Sequence, residues 1–243
     1  MRNRPAGRKP QSSSADRTQA QTVTRNATQM PFGSLNQEDR KIHLAMIAAS
    51  VFWEKGYNTA SLRDISIRAN ISKAGLYHYF RSKEEILTFI IVRNTEEGER
   101  VLRACIADNQ REGVPPEEGL RRVIRTYATY VNKSKEIRLL VLRERHQLTG
   151  ENKQKLYRME QRVFHLLRDE LNKVPFINQA YDRNLVAFMI IAMSHWMGYW
   201  LRDTGRLSLG AAIEESIDVL FKGMLAKEQW QTAGMGSEDG DTR

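Results

Sequence analysis

The sequence predicts an all-α protein with a small N-terminal helical domain followed by a larger helical domain. Apolar residues recur at three- and four-residue steps between the two ends, with almost none of the alternation typical of strands. Arg and Lys outnumber Asp and Glu by 14 to 5 in residues 1–83, whereas the two classes stand at 24 to 24 in residues 84–243. This asymmetry indicates a polyanionic partner for the N-terminal third.

Composition excludes several classes of protein. The chain has 243 residues, of which 41% are apolar and 28% charged, so a wholly disordered or fibrous chain is excluded. The single cysteine, Cys105, excludes an intrachain disulfide and a cysteine-rich zinc site. We therefore expect a reducing compartment, a cytoplasmic protein, and neither a metal nor a cofactor.

The two ends of the chain are predicted to be disordered. Residues 1–36 contain six Arg and Lys residues against one acid, Asp16, in a polar setting that lacks the apolar segment of a secretory signal. Residues 232–243 are acidic and contain three glycines. We interpret the first segment as a basic arm and the second as a tail.

The first folded segment, residues 37–83, has the pattern of a helix-turn-helix domain. An apolar stripe that includes Ile42, Ala49 and Phe52 ends at Gly56, which favours a helix end there. Three further helix starts follow in residues 57–85: Ser61 with Asp64, Ser72, and Ser82 with Glu85. Asn70, which tolerates the left-handed conformation, is placed for the turn between the helices 61–69 and 72–80.

The second of these helices is predicted to read DNA. Its small first residues let the backbone approach the major groove, and its flanks can hold phosphates. Tyr hydroxyls and cationic side chains supply the donors. The residues that we expect to face outward on this helix are Lys73, Ala74, Gly75, Tyr77, His78 and Tyr79, with the cations Arg63 and Lys83 on or near the DNA.

Residues from about Arg40 to Leu87 closely resemble the DNA-binding region of the TetR/AcrR family of bacterial transcriptional regulators. The resemblance is carried by Ser-Leu-Arg-Asp-Ile at 61–65 and by Ile-Ser-Lys-Ala-Gly-Leu-Tyr-His-Tyr-Phe-Arg-Ser-Lys-Glu-Glu at 71–85. It implies that Ser61 and Arg63 lie at the DNA backbone or groove edge, that residues 73–75 and 77–79 face an operator, and that Lys83 meets a phosphate. Asn70 departs from the Gly usual in the family, and the basic arm is longer than the family norm.

The rest of the chain, 84–231, is predicted to be a helical effector-binding and dimerisation domain. The apolar stretch Leu185–Leu201 is about 17 residues long with charges of both signs at its ends, which favours a buried helix over a membrane span. We expect no membrane partner. The periodic segments are 83–112, 116–133, 135–147, 150–173, 180–203 and 208–230.

A helix-turn-helix reads one half-site, so we expect a homodimer that reads a palindrome. By the resemblance, the last two helices pair with those of a second copy in a four-helix bundle, although part of each stripe must form the core of a single chain. The candidate interface residues are Phe188, Ala192, Ile217, Leu220, Phe221 and Met224.

The resemblance also implies a cavity for a small-molecule effector between the helices. Aromatic walls and anion-binding groups are supplied by the candidates Arg143, Arg145, His146, Tyr157, Phe164, Trp196, Tyr199, Trp200 and Arg202. The segment 196–207 is similar to that of family members that respond to acyl-CoA thioesters, whereas the aromatic residues and nine methionines also suit a hydrophobic drug-like compound. His195, in an apolar run, fits a hydrogen-bonded core histidine better than a ligand.

Catalytic motifs are absent from the sequence, which has no Gly-rich nucleotide loop and no His-Glu-x-x-His pattern. We therefore expect no enzyme but a ligand-responsive homodimeric repressor, released from a palindromic operator by its effector. An activator, and an architectural DNA-binding protein driven by the basic arm, are the alternatives.

Overall fold

The computed structural model describes residue 33 and residues 35–175, 177–178, 180–201 and 205–224. Within these ranges the chain is helical, as the sequence predicts. The predicted arm and tail lie almost wholly outside these ranges. The helices are α1 Gln37–Lys55, α2 Leu62–Arg68, α3 Lys73–Tyr79, α4 Lys83–Glu112, α5 Pro116–Val131, α6 Lys135–Glu144, α7 Gly150–Asn172, α8 Arg183–Trp200 and α9 Leu209–Met224, with a 3₁₀ turn at Arg145–Gln147 after α6.

Most predicted boundaries agree with these helices, and the differences have local causes. The predicted helix 135–147 changes to 3₁₀ geometry at Arg145. Helix α8 begins at Arg183 because the Asp182 side chain caps it, accepting from the amides of Asn184 and Leu185. Glu85 also differs from the predicted capping box, since its carboxylate accepts from the amide of Arg81.

Helices α1–α3 and the first turns of α4 form a unit that we call the head, and the remaining helices form the body. The head surrounds Phe52, Ile65, Leu76 and Phe80, all at most 2% exposed. Its core does not stop at the predicted domain boundary after residue 83. Side chains from α4, α6, α7 and the loop before α7 complete it: Ile86, Leu87, Ile90, Ile91, Leu140, Leu148 and Leu156.

The body has its own core, built from one face of each of α5, α7, α8 and α9 together with the second half of α4. The 30-residue helix α4 runs from the head into the body, packing on α1, α5, α6 and α7. The fully buried members of this core include Leu102, Ile124, Leu167, Ile190 and Phe221.

Helices α4 and α5 approach closely at Gly98. A Cβ atom at this position would lie 2.9 Å from Cε1 of Tyr130, a distance that real Cβ atoms essentially never show. The Tyr130 hydroxyl donates to the carbonyl of Asn94, 2.8 Å away on α4. Gly98 therefore makes room for the tyrosine ring that joins the two helices.

Helix α8 is only half buried, which corrects the prediction of a buried helix. Ala187, Ile190 and Ser194 are fully buried, whereas Leu185 and Phe188 on the opposite face are 58% and 61% exposed. No helix in the described ranges is both long and apolar enough to cross a membrane.

Candidate DNA-binding face and effector region

The helix-turn-helix is shaped by caps at the predicted positions. Ser61 accepts from the amide of Asp64 at 3.2 Å, and the Asp64 carboxylate accepts from the amide of Ser61 at 2.9 Å, which completes the capping box of α2. Ser72 caps α3 by accepting from the amide of Gly75 at 2.9 Å. These caps fix where each helix begins.

The turn between α2 and α3 depends on Asn70, whose φ is 51°. The amide of Asn70 donates to the carbonyl of Ile67, and the amide of Ile71 donates to that of Ser66, at 3.1 and 3.0 Å. This is the bonding of a Schellman motif with Asn in the left-handed position. The expectation that Asn preserves the turn is therefore confirmed.

Two ion pairs hold α2 against α1. Lys55 lies 2.6 Å from Asp64, and Arg68 makes a bidentate contact with Glu54. Hydrogen bonds from Lys55 and Ser61 hold the pKa of the Asp64 carboxyl well below its usual range. The pKa of Glu54 is lowered by the hydrogen bond from Arg68. Both carboxylates therefore remain ionised, and the pairs persist at neutral pH.

The outer face of α3 is open to solvent. Lys73, Ala74, Tyr77 and His78 are exposed, whereas Gly75 and Tyr79 are half-buried. The Lys73 ammonium lies 5.7 Å from the centre of the Tyr77 ring. On α2, Arg63 is exposed, and no hydrogen bond or ion pair of its side chain occurs within the described ranges. This surface has the size and donors to enter a major groove.

Lys83 has a structural role that the sequence does not suggest. Its ammonium donates to the carbonyls of Tyr57, Asn58 and Ala60 at 2.6, 3.0 and 2.9 Å. An ammonium has three N–H donors, so none is left for the predicted phosphate contact. Lys83 instead holds the loop before α2 against the start of α4.

The predicted effector residues do not converge on one place. The Arg143 guanidinium lies over the ring of Trp53 in the head, 5.1 Å from its centre. His146 is exposed in the 3₁₀ turn, and Phe164 packs partly buried against the body core. Arg202 lies outside the described ranges.

Trp196, Tyr199 and Trp200 form an exposed aromatic cluster at the end of α8. The rings of Trp196 and Tyr199 stack with centres 5.1 Å apart. No hydrogen bond, ion pair or ring contact in the described ranges joins these three residues to Arg143, His146 or Phe164.

Two polar pairs also lie in the body, and of their four residues Arg145 alone is an effector candidate that the sequence suggests. The Tyr127 hydroxyl is 3.0 Å from Nε2 of His195, and Arg145 lies 2.6 Å from Glu160. Burial raises the pKa of Tyr127 well above its usual range and, aided by the charge of Arg145, lowers the pKa of His195 to about 4. Burial also raises the pKa of Glu160. His195 is therefore the neutral, hydrogen-bonded histidine that the sequence favours.

Helices α8 and α9 divide the predicted dimer residues into two groups. Phe188 and Ala192 are exposed and Leu220 is half-buried, whereas Ile217 and Phe221 are fully buried within the single chain. The last two leave no side-chain surface for a partner because they face the body core. Nothing is described of the Met224 side chain. Val219, which is not among the predicted residues, is 72% exposed.

Two family models match the chain. Residues 47–88 match the model of bacterial regulatory proteins of the tetR family. Residues 113–224 match a tetracyclin repressor-like C-terminal domain. The first match covers the helix-turn-helix, and the second covers the body from α5 to α9.

Relatives of known function and structure agree with these matches. The HTH-type transcriptional activator FasR of Mycolicibacterium smegmatis is 22% identical over 84% of this chain and 94% of its own. The TetR family regulator PfmR of Thermus thermophilus is 27% identical, with a TM-score of 0.65 over 74% of this chain and 97% of its own. AibR, solved with isovaleryl coenzyme A and operator DNA, is 23% identical, with a TM-score of 0.66 over 75% of this chain and 98% of its own.

The match is thus not confined to the short DNA-binding motif, since both the head and the body follow the same pattern in family models and in solved folds. With its capped helix-turn-helix and helical body, this chain belongs to the TetR family of DNA-binding transcriptional regulators.

Proposed function

We propose that this regulator is an effector-responsive homodimeric repressor whose two heads bind the halves of a palindromic operator. The dimer is proposed because one face of α8 is apolar and open to solvent: Leu185, Phe188 and Met189 are more than half exposed. Contiguous exposed apolar surface marks an interaction site. A second copy is the occupant proposed here, because one head reads only a half-site and two-fold symmetry supplies the other.

Two of the three acidic residues of α9 are paired within the chain, whereas Glu215, one turn before Val219, is exposed. Glu214 pairs with Arg125, and Asp218 lies 2.8 Å from Arg121, both on α5 of the same chain. These charges are satisfied within one chain, so they do not oppose apolar contact along the neighbouring surface that includes Val219.

The dimer is tested by measuring the molar mass of the full chain by light scattering. Phe188→Glu places a charge at the centre of the exposed α8 face, and we expect it to convert the dimer to monomers and to abolish binding to the palindrome. Tyr157→Glu is the matched control, since Tyr157 is 60% exposed on α7. A wild-type mass of one chain, or dimers that survive Phe188→Glu, would reject this interface.

DNA recognition is tested by selecting random double-stranded DNA on the purified protein at physiological salt. We expect a palindrome with half-sites about one helical turn, roughly 34 Å, apart. Arg63→Ala and Lys73→Ala should weaken binding to all sequences and flatten the salt dependence, whereas Tyr77→Ala and His78→Ala should alter base preference.

The N-terminal arm is tested in the same selection. Deletion of residues 1–32, which keeps the buried Leu35 and the Asn36 cap of α1, should preserve the palindrome if α3 reads it. Recovery of unenriched DNA with steep salt dependence, lost when the arm is deleted, would favour the architectural alternative.

The proposed effector class is an acyl-CoA thioester. It is supported by the AibR complex with isovaleryl coenzyme A and by the arginines and exposed aromatic side chains of the body. Thermal unfolding with a series of acyl-CoA thioesters, against free coenzyme A and uncharged hydrophobic compounds, distinguishes this class from a drug-like effector. An effector that shifts operator affinity 5- to 150-fold corresponds to a coupling of about 1–3 kcal/mol.

Activation is the second candidate, favoured by the relative FasR, which is named an activator. A reporter gene placed behind the selected operator separates the two roles. Expression that falls when the protein is supplied supports repression, and expression that rises supports activation.

A further inference from the structure

Four ionisable side chains from four elements form two polar pairs in the body. Tyr127 comes from α5, Arg145 from the 3₁₀ turn, Glu160 from α7 and His195 from α8. They form the Tyr127–His195 and Arg145–Glu160 pairs described above. The two pairs influence each other, since the charge of Glu160 contributes to the raised pKa of Tyr127, and that of Arg145 to the lowered pKa of His195.

The two pairs have different exposure and unused hydrogen-bonding capacity. Arg145 and Glu160 have side chains that are 50% and 34% exposed, whereas Tyr127 is buried. A guanidinium has five N–H donors, yet in the described part of the chain Arg145 uses one, toward Glu160. Nδ1 of His195 likewise has no hydrogen-bond partner among the described residues. The other N–H groups of Arg145 and Nδ1 of His195 are therefore available for hydrogen bonds to a bound group.

The segment that carries Arg145 also contacts the head. Its neighbour Arg143 lies over the ring of Trp53 on α1. Burial raises the pKa of Tyr57, which precedes α2, with a further contribution from the carboxylates of Glu84 and Glu144. The segment thus joins the polar cluster of the body to the helix that supports the recognition helix.

Immediately after the 3₁₀ turn, Leu148 is buried in the head core. A displacement at Arg145 cannot remain local, because the residues on both sides of it are packed against the head.

We propose that the Arg145–Glu160 pair senses an anionic group of the effector, and that opening this pair is transmitted to the head through Arg143 and Trp53. Glu160 acts as an internal anion that occupies Arg145 when no effector is bound. The inference rests on the proposed effector response and adds to it the chemistry of the group that is sensed.

The exchange has a simple chemical basis. A carboxylate or phosphate of the effector forms a bidentate contact with the Arg145 guanidinium. This contact is stronger than the single hydrogen bond that Arg145 donates to Glu160. With the Tyr127 hydroxyl donating to Nε2 of His195, Nδ1–H of His195 supplies a further hydrogen bond to the bound group. Since burial already raises the pKa of Glu160, the released side chain can take up a proton and avoid an unpaired charge.

The experiment measures binding of three probes to the full-length protein by calorimetry: octanoate, octanoyl-CoA and octanol. Arg145→Gln should lower the affinity for the two anionic probes about tenfold or more. Glu160→Gln should raise that affinity about fivefold, because it removes the competing anion. Octanol should respond to neither substitution. Tightening of octanoate alone identifies a carboxylate as the sensed group, and tightening of octanoyl-CoA alone identifies the CoA phosphates.

The matched control is Arg162→Gln. Arg162 lies on α7, as Glu160 does, and the substitution breaks its ion pair with Glu99 of α4. This variant should bind both anions with an affinity within about twofold of wild type. The proposal is overturned if neither anion binds the wild-type protein at millimolar concentration, or if Arg145→Gln and Arg162→Gln behave alike.

Transmission is tested with Trp53→Leu, assayed on an operator recovered by DNA selection. The variant should keep the anion affinity and the effector-free operator affinity of wild type, but lose most of the change in operator affinity that the anion causes. An undiminished response overturns the route through Trp53.

This test is separable from the proposed function. A protein that selects a palindrome but ignores both anions rejects the inference alone. A protein that selects no palindrome rejects the proposed function itself.

Discussion

The head and the body are organised by hydrogen bonds of different reach. In the head, the caps on α2, α3 and α4 each join residues three positions apart, as Ser72 does with Gly75. In the body, Tyr127 contacts His195 across 68 positions, and Asn132 donates to the carbonyl of Ser194 across 62. The DNA-binding face is therefore encoded in short motifs, whereas the polar pairs of the body exist only after distant helices have packed.

This difference separates the two regions of the molecule. A short motif can keep its geometry while the rest of the chain changes, so a DNA-reading face of fixed shape can be joined to bodies of varied chemistry. The polar groups of the body depend on packing and can be altered by single substitutions without disturbing the caps of the head.

Lys83 is the exception within the head and gives the largest expected effect. Its bonds reach back 23 to 26 positions, to three carbonyls before α2. Lys83→Met keeps the length of the side chain but removes its donors, and we expect the free energy of unfolding to fall by about 3 kcal/mol, with the exposed carbonyl of Asn58 regaining water. Urea unfolding measures this loss.

Lys73→Met provides the control for Lys83, since Lys73 is exposed on α3. It should change the free energy of unfolding by no more than about 0.5 kcal/mol while weakening DNA binding. If Lys83→Met kept its stability and reduced the salt slope of DNA binding by about one, the phosphate role predicted from the family pattern would be correct after all.

The next largest expected effect is the pH dependence of the free energy of unfolding that the buried His195 causes. The folded-state pKa of His195 is lowered to about 4, so the unfolded chain binds the proton more readily, and stability falls as the pH drops below about 6.5. Between pH 7 and pH 5, His195 should account for a loss of about 2 kcal/mol.

His195→Gln should remove this component of the pH dependence, whereas His165→Gln, at an exposed position on α7, should retain it. Unfolding curves at the two pH values measure the difference. Equal slopes for wild type and His195→Gln would mean that the imidazole is not neutral in the folded protein.

Prediction from the sequence succeeded mainly where a bond is local, the Glu85 side of one capping box excepted, and failed where the bond is not local. Ser61 with Asp64, Ser72 and Asn70 are recognisable within a few residues, and the structure confirms the helix starts and the turn. Lys83 follows the family pattern, but its carbonyl partners lie in a loop that no local motif links to it. The sequence suggests Arg145 as one anion-binding candidate among several, but Glu160 carries no local signal, and only the tertiary structure brings these two residues together.

Gly98 is a second case that depends on packing, and it carries no local signal because its neighbour, Tyr130, belongs to another helix. Gly98→Ala places Cβ against the Tyr130 ring, and we expect a loss of about 1.5 kcal/mol in the free energy of unfolding. At Gly210 in α9 nothing lies within 4 Å, so Gly210→Ala should be neutral or stabilising by up to about 1 kcal/mol. Parallel thermal unfolding compares the two. Equal stabilisation would show that α4 and α5 can separate freely at Gly98.

The smallest expected change in stability tests whether the residue at position 70 is enough to hold the turn between α2 and α3. Asn70 has a φ of 51°, so Asn70→Ala should cost about 1 kcal/mol, whereas Asn70→Gly should stay within about 0.5 kcal/mol of wild type. Urea midpoints at an unchanged m-value measure both, and operator affinity should follow stability. If the Ala variant matched the Gly variant, packing of Ile65 and Leu76 would be holding the turn, and the head would depend on tertiary structure as the body does.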